Sequence, residues 1–239
     1  MKRIASIQER VALSDVTNTT SGIGVKSSAI SETQMNKRQN EIYKGESIGR
    51  YTVVKTMFCD LKRDNITGRT TDINKLQWAP KILIRKTGKM IIAAYDDSDI
   101  IPEQSLYFTY GRYEEDIYYI LGLLNSRLLN YVYYHTALTN RDSIAQVKKV
   151  ELDKLPIVRS AKDKVTADAI AENAAQITVL CSTDDSKSGE HERALTRRRL
   201  AAFEGTIDRL TYALFDMTTE EMRIVDSWFE GSRPKNNEL

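Results

Sequence analysis

Apolar residues in the middle of this chain change their period twice, and the changes outline an α/β unit between residues 78 and 158. Lys81–Arg85 (KILIR) and Met90–Tyr95 (MIIAAY) are short apolar runs separated by Lys86-Thr87-Gly88-Lys89. Two such runs joined by a short turn containing Gly predict a β-hairpin. Its tip carries Arg85, Lys86 and Lys89, three positive charges at one exposed place. The aromatic stretch Ser105–Tyr110 (SLYFTY) predicts a third short strand. From Glu114 the spacing changes, and Ile117, Ile120, Leu121, Leu124, Leu128 and Val132 fall on one face of a single long helix. Gly111 and the acidic Glu114-Glu115-Asp116 suit its start, because carboxylates there meet the positive end of the helix dipole. The unit closes with VKKVELDKLPIV, predicted as a strand ending at Leu155-Pro156.

The flanks are read in the same way. Val11-Ala12-Leu13 is a short apolar stretch, and Thr17–Ser31, rich in Ser and Thr with Gly22 and Gly24, predicts a loop. Tyr51–Phe58 alternates loosely, as a strand does, and Asp60–Asn74 is a charged polar loop. Trp78, ahead of Pro80 and the first strand, suits the core or a cap over the sheet. After Ala161 the pattern turns helical. Thr166–Val179 places Ile170, Ala174, Ile177 and Leu180 on one face, and a polar break follows from Cys181 to Glu190. His191–Phe215 is a second helix with Leu195, Leu200, Phe203, Ile207, Leu210 and Leu214 facing inward. Thr218 and Glu221 have capping-box spacing ahead of a last helix to about Phe229. The closing PKNNEL is a frayed tail.

Composition narrows the class. At 239 residues the chain holds one large domain or two small ones. Of its 35 Lys+Arg and 33 Asp+Glu, 11 and 15 lie after Ser160, so the tail carries −4 and the front +6. A basic front and an acidic tail suit a nucleic-acid face beside a protein-binding or solvated segment. Ordinary surface variation gives the same numbers. Cys59 and Cys181 are too few for a disulfide framework or a zinc pattern, which points to a reducing cytosol. Two histidines, His135 and His191, cannot build a His-based metal site or a catalytic triad. No apolar h-region follows Met1-Lys2-Arg3, and no apolar run approaches the ~18 residues of a membrane span, so a cytoplasmic location is expected. Gly22-Ile23-Gly24 lacks the third glycine and the following helix of a dinucleotide fingerprint.

The order PKILIRKTG, an aromatic strand, LLNSRLLNYVYY and a closing KLPIV resembles the TaqI-like C-terminal specificity domain of type IIG restriction–modification enzymes. It is more distantly similar to the repeats of type I specificity subunits. LSDVTNTTSGIGVKSS and IYKGESIGRYTV resemble that domain's opening segments, and FEGTIDRLTYALFDMTTEEMRIVDSW its helical end, so the likeness runs over roughly residues 11 to 228. The resemblance implies an α/β (α+β) target-recognition fold, a mixed twisted sheet with packed helices, in residues 1–158. It implies a helical dimerisation or partner-binding segment in 159–239. Asn125-Ser126, inside the long helix, is implied to be structural, bonding to a neighbouring element.

A recognition domain docks loops on duplex DNA. Gly22 then suits close backbone approach to a phosphate, and basic loops are expected to gather on one face. The candidate DNA-binding residues are Ser21, Gly22, Lys26, Lys44, Arg50, Tyr51, Arg85, Lys86, Thr87, Lys89, Asn140 and Arg141. Arg pairs with guanine and Asn with adenine in the major groove, although Asn140-Arg141-Asp142 equally suits a plain helix exit. Arg197-Arg198-Arg199 is read as a solvated helix face. Neither an Asn-Pro nor a Pro-Pro pair is present, so the methyltransferase loop of a type IIG enzyme is missing, and no nuclease constellation stands out. The expectation is a non-catalytic recognition module that directs a separate N6-adenine DNA methyltransferase, a restriction nuclease or both. S-adenosylmethionine and Mg2+ are expected only on that partner. Three further readings stay open: the C-terminal segment of a larger type IIG enzyme, a half-sized specificity subunit that homodimerises through its helices, and an interaction subunit without DNA binding.

Overall fold

The computed structural model describes residues 10–111, 113–137, 146–182 and 189–232. In chain order the strands and helices are β1 (Arg10–Ala12), β2 (Asn18–Ser21), β3 (Ile23–Val25), β4 (Ile30–Ser31), β5 (Asn40–Tyr43), β6 (Met57–Cys59), β7 (Ile66–Arg69), α1 (Ile73–Leu76), β8 (Lys81–Arg85), β9 (Ala93–Asp96), β10 (Ile101–Pro102), β11 (Leu106–Tyr110), α2 (Ile117–Asn125), α3 (Arg127–Ala137), α4 (Lys149–Asp153), β12 (Pro156–Val158), α5 (Lys164–Ser182), α6 (Glu190–Leu214) and α7 (Thr219–Ser232).

The apolar runs form the central sheet, ordered β2-β11-β8-β9 and antiparallel throughout. The β8–β9 hairpin forms as its sequence predicts, with Lys81 opposite Asp96 and Ile84 opposite Ala93. β8 is apolar at consecutive positions because both of its faces are buried. Ile82 and Ile84 enter one core with Ala93, whereas Leu83 enters a second core with Ala94, Leu106 and Phe108. The first core is roofed by α2, α3 and the helices α5–α7. The second lies under a sheet ordered β10-β5-β6-β4, whose Ile42, Met57 and Cys59 point into it. Two smaller antiparallel pairs, β3-β7 and β1-β12, complete the mixed α+β fold.

An ion pair closes the open end of the hairpin. Lys81 Nζ lies 2.8 Å from Asp96 Oδ2, with both side chains buried. The hydroxyls of Tyr43 and Ser98 donate to Asp96 Oδ1 at 3.3 and 2.8 Å. A buried charge needs such partners, and here they fix the hairpin's register.

Several expectations are corrected. Thr17–Ser31 contains β2, β3 and β4 where a loop was expected, because Thr17 and Thr19 are themselves buried and Ile23 and Val25 enter the second core. Tyr51–Phe58 contributes only the start of β6, and the polar stretch 60–74 contains β7 and the short α1. The single long helix is two helices broken at Ser126, whose backbone is extended. Lys149–Asp153 is helical, so only Pro156–Val158 forms the closing strand. Trp78 is 40 % exposed and does not cap the sheet as core. The C-terminal helices form at the predicted places, and the capping box is made: Thr218 Oγ1 accepts from the Glu221 amide at 3.3 Å, and Glu221 Oε2 from the Thr218 amide at 2.8 Å. Ile207 and Leu214 face inward, but Leu195 is 52 % exposed. No described helix is long and apolar enough to cross a membrane.

Candidate nucleic-acid interface

The β8–β9 turn and the end of β2 lie together. The backbone of Lys86 donates to Ser105 O at 3.0 Å and accepts from the Val147 amide at 2.7 Å, so the start of the turn is fixed on two sides. Thr87, exposed, makes an isolated antiparallel bridge with Gln146. The Lys86 side chain does not reach freely into solvent. Its ammonium donates to Ser21 Oγ and lies 4.3 Å from the Tyr107 ring centroid. Burial, and then the nearby charge of Arg69, push its pKa down to about 8. Lys89, further along the turn, is exposed. Lys26 is also exposed, directly after β3, and its amide is tied to Asn65 O at 2.9 Å.

The other candidates are held inside the molecule. A Cβ on Gly22 would come within 2.3 Å of Pro102 O and 2.4 Å of Glu103 O. Its lack of a side chain therefore serves the packing of two backbones, not the approach of a phosphate. Arg85, placed at the hairpin tip by its sequence, is the last residue of β8 and turns back on its own chain. Its Nε donates to Gly45 O at 2.7 Å, and its terminal NH2 group donates to Ile48 O. It thereby fixes the Lys44–Ile48 segment. Lys44 itself is partly exposed and paired with Glu46 at 3.3 Å. Arg50 turns to the helical layer, 2.9 Å from Glu204 on α6. Tyr51 is 1 % exposed and lies in the helix-side core, with a positive φ of 68° and its amide bonded to Ala93 O. Asn140 and Arg141 lie outside the described residues.

The sequence therefore collects too many cations on one face. Loop cations look alike in a sequence, and only the fold decides whether a carboxylate or carbonyl faces them. Ser21 and Lys86 do meet, with Thr87 next in the turn, Lys89 exposed further along it and Lys26 exposed directly after β3. Arg69, at the end of β7, was not among the candidates. It is exposed, and among the described residues no carboxylate pairs with it. The Gly in Ile66-Thr67-Gly68-Arg69 was the available signal, since a glycine inside an alternating stretch marks a bulge.

Asn125 does what the family likeness implied. Its Oδ1 accepts from the Ala93 amide at 3.1 Å and its Nδ2 donates to Ala93 O at 2.9 Å. Asn130 adds a bond from the Ile91 amide at 2.7 Å. Asn125 dresses β9, the edge strand of the central sheet, and Asn130 the segment that leads into it.

Residues 40–157 match the family model of the TaqI-like C-terminal specificity domain. Over 214 residues the chain is 27 % identical to a protein of Methanocaldococcus jannaschii named "Putative type II restriction enzyme and methyltransferase RM.MjaORFECS2P", covering 85 % of this chain and 17 % of that relative. Among solved structures it resembles the type IIL restriction–modification enzyme MmeI, solved with DNA, at a TM-score of 0.53 and 12 % identity, over 92 % of this chain and 37 % of that one. The HsdS subunit of Thermoanaerobacter tengcongensis is similar at a TM-score of 0.43 and 16 % identity, over 87 % of this chain and 43 % of that one. The chain thus spans less than half the length of each of these relatives. The comparisons thus support a specificity domain of restriction–modification systems, with residues 40–157 of this chain carrying the match to the TaqI-like C-terminal specificity domain.

Proposed function

We propose that this chain is a non-catalytic DNA sequence-recognition module that brings an N6-adenine DNA methyltransferase, a restriction nuclease or both to a target site. The observation that carries this reading is the Lys86 ammonium. It is fixed on Ser21 and Tyr107, beside the charge of Arg69, with no carboxylate at ion-pairing distance among the described residues. The buried Glu103 carboxylate acts on Lys86 only from beyond ion-pairing distance, so the two cations keep room for an anion, and on a specificity domain the fitting anion is a DNA phosphate. Phosphate contacts would set the register, and side chains at strand ends would read bases. S-adenosylmethionine and Mg2+ would be held by the catalytic partner, which flips its target adenine and so needs a separate element to hold the duplex. Exposed Val165, Val179 and Leu195 on α5 and α6 offer apolar contacts for that partner or for a second copy of this chain.

A second reading has its own support. The chain aligns with 17 % of a relative whose name includes both a restriction enzyme and a methyltransferase. The same module would then act within one larger polypeptide, with its catalytic parts in cis.

Duplex binding at several salt concentrations tests the proposal. Weak binding is expected, and its logarithm should fall linearly with the logarithm of salt concentration as Lys and Arg displace counterions. Absence of binding at low ionic strength, or affinity indifferent to salt, would favour an interaction subunit. Transfer of a labelled methyl group to DNA by the same preparation would overturn the non-catalytic assignment.

A further inference from the structure

β7 ends in an irregularity that aims one side chain. Paired with β3, it runs in register from Ile23 opposite Arg69 to Gly24 opposite Gly68, and then slips so that Val25 faces Ile66. Thr67 is the extra residue of a β-bulge, a device that bends a strand and re-aims the side chains beside it. Gly68 has a φ of +126° and Arg69 a φ of +66°. The second value is the left-handed region, which a residue with a Cβ adopts only when its surroundings impose it. Both sides of Arg69 impose it here. The β3 pairing holds its backbone, and Thr70 Oγ1 is hydrogen-bonded to Thr20 Oγ1 at 3.0 Å on β2.

Among the described residues, this constraint serves no side-chain contact of Arg69. The Arg69 side chain is exposed and pairs with no carboxylate among the described residues, whereas Arg50, Arg85 and Arg127 are bound internally. Thr70, the next residue, is bonded to Thr20, and Lys86 donates to Ser21, so the two cations lie beside adjacent residues of β2. They differ in what they can recognise. An ammonium is a point charge that tolerates many phosphate orientations, while a guanidinium in a fixed direction can donate two parallel hydrogen bonds to the O6 and N7 of guanine. A contact of that kind needs a side chain that leaves the backbone in a set direction, and the bulge and the left-handed backbone set that direction.

We infer that Arg69 is a specificity-determining residue that reads a guanine edge in the major groove, with Lys86 holding a neighbouring phosphate. This rests on the DNA-recognition reading above.

The full chain is incubated with a randomised duplex library, and bound duplexes are sequenced. Wild type is expected to enrich a motif containing a guanine that Arg69→Lys relaxes by about 10-fold, within the range of one bidentate base contact. Affinity for random duplex should be unchanged, because the charge is kept. An identical motif from Arg69→Lys would overturn the role of Arg69 and leave the recognition function standing. Equal weakening on every sequence would make Arg69 a phosphate contact and overturn it too. If wild type itself enriches no motif and retains no duplex, the recognition function falls together with the inference.

Discussion

A lysine half-withdrawn from water titrates where free lysines do not. Lys86 has its pKa pushed down to about 8, first by burial and then by Arg69, whereas an exposed lysine titrates near ~10.4. The neutral amine is favoured in the folded chain, so this group's contribution to stability rises with pH above about 8, where the unfolded chain still holds the proton. DNA affinity should run the other way. As pH rises from 7 to 9, Lys86 loses its charge while other lysines keep theirs, so wild-type binding should weaken over that window. Lys86→Ala should bind less tightly at pH 7, with a salt slope shallower by about 1, and should lose the extra pH dependence. Titrations of both proteins at three pH values check this, and an unchanged pH profile in the variant would assign the effect elsewhere. At this scale the sequence was a partial guide. It flagged Lys86 as a cation near a turn, but the neighbours that surround it, Ser21, Tyr107 and Arg69, come from three other strands. Arg85, its neighbour in sequence, went astray for the same reason, since the carbonyls that bind it belong to Gly45 and Ile48.

Among the elements, the break between α2 and α3 shows what periodicity hides. The apolar face runs on at helical spacing from Ile117 to Val132, and the interruption falls within one turn. Ser126 ends one helix, its hydroxyl donating to Leu123 O at 2.7 Å, and starts the next, its Oγ accepting from the Leu129 amide at 3.3 Å. Serine competes for backbone groups in this way and so favours helix ends. The break turns Asn125 toward β9 and Asn130 toward the segment that leads into it. Polar residues on an otherwise apolar inward face signalled that some partner was required, but not which one. Asn125→Ala should leave the Ala93 amide without its side-chain acceptor in the core and cost about 1–3 kcal/mol. A denaturant midpoint would measure it. A loss within a few tenths of wild type would show that the edge strand finds another partner. By contrast, the hairpin and the C-terminal helices were legible, because their signals, a Gly turn and a capping box, are local.

The whole molecule is joined by charges between its layers. Arg50 pairs with Glu204, and Arg127 with both Asp208 at 3.2 Å and Asp226 at 2.8 Å, while the Tyr212 hydroxyl donates to Asp226 at 2.8 Å. Asp208 also accepts the Arg127 amide at 2.8 Å, at the first residue of α3. Burial nevertheless outweighs these partners and raises its pKa to about 6. An acid whose folded pKa lies above its unfolded value stabilises the fold below about pH 4, and that contribution fades as pH rises through 6. Asp208→Asn keeps an acceptor for the amide and removes the titration. Its stability relative to wild type should therefore improve between pH 4.5 and 7, by an amount on the order of 2 kcal/mol. Thermal melts at both pH values test this, and a constant difference would mean that Asp208 is ionised throughout. No sequence rule pairs Arg50 with Glu204 across so long a stretch of chain, which is why a joint between layers was read as part of a DNA face. The central sheet carries a consequence of its own. Ile82 and Ile84 belong to the helix-side core and Leu83 to the other, so one strand is the party wall of both. In the proposed function, the turns that would meet a target hang from the ends of that wall, and the helices that would meet a partner are mounted behind it. Loop residues can be exchanged without disturbing the mount, while a misfit in the wall disturbs both rooms at once. If the proposal holds, new target sites would be open to the chain through its turns alone, with its way of joining a partner left as it was.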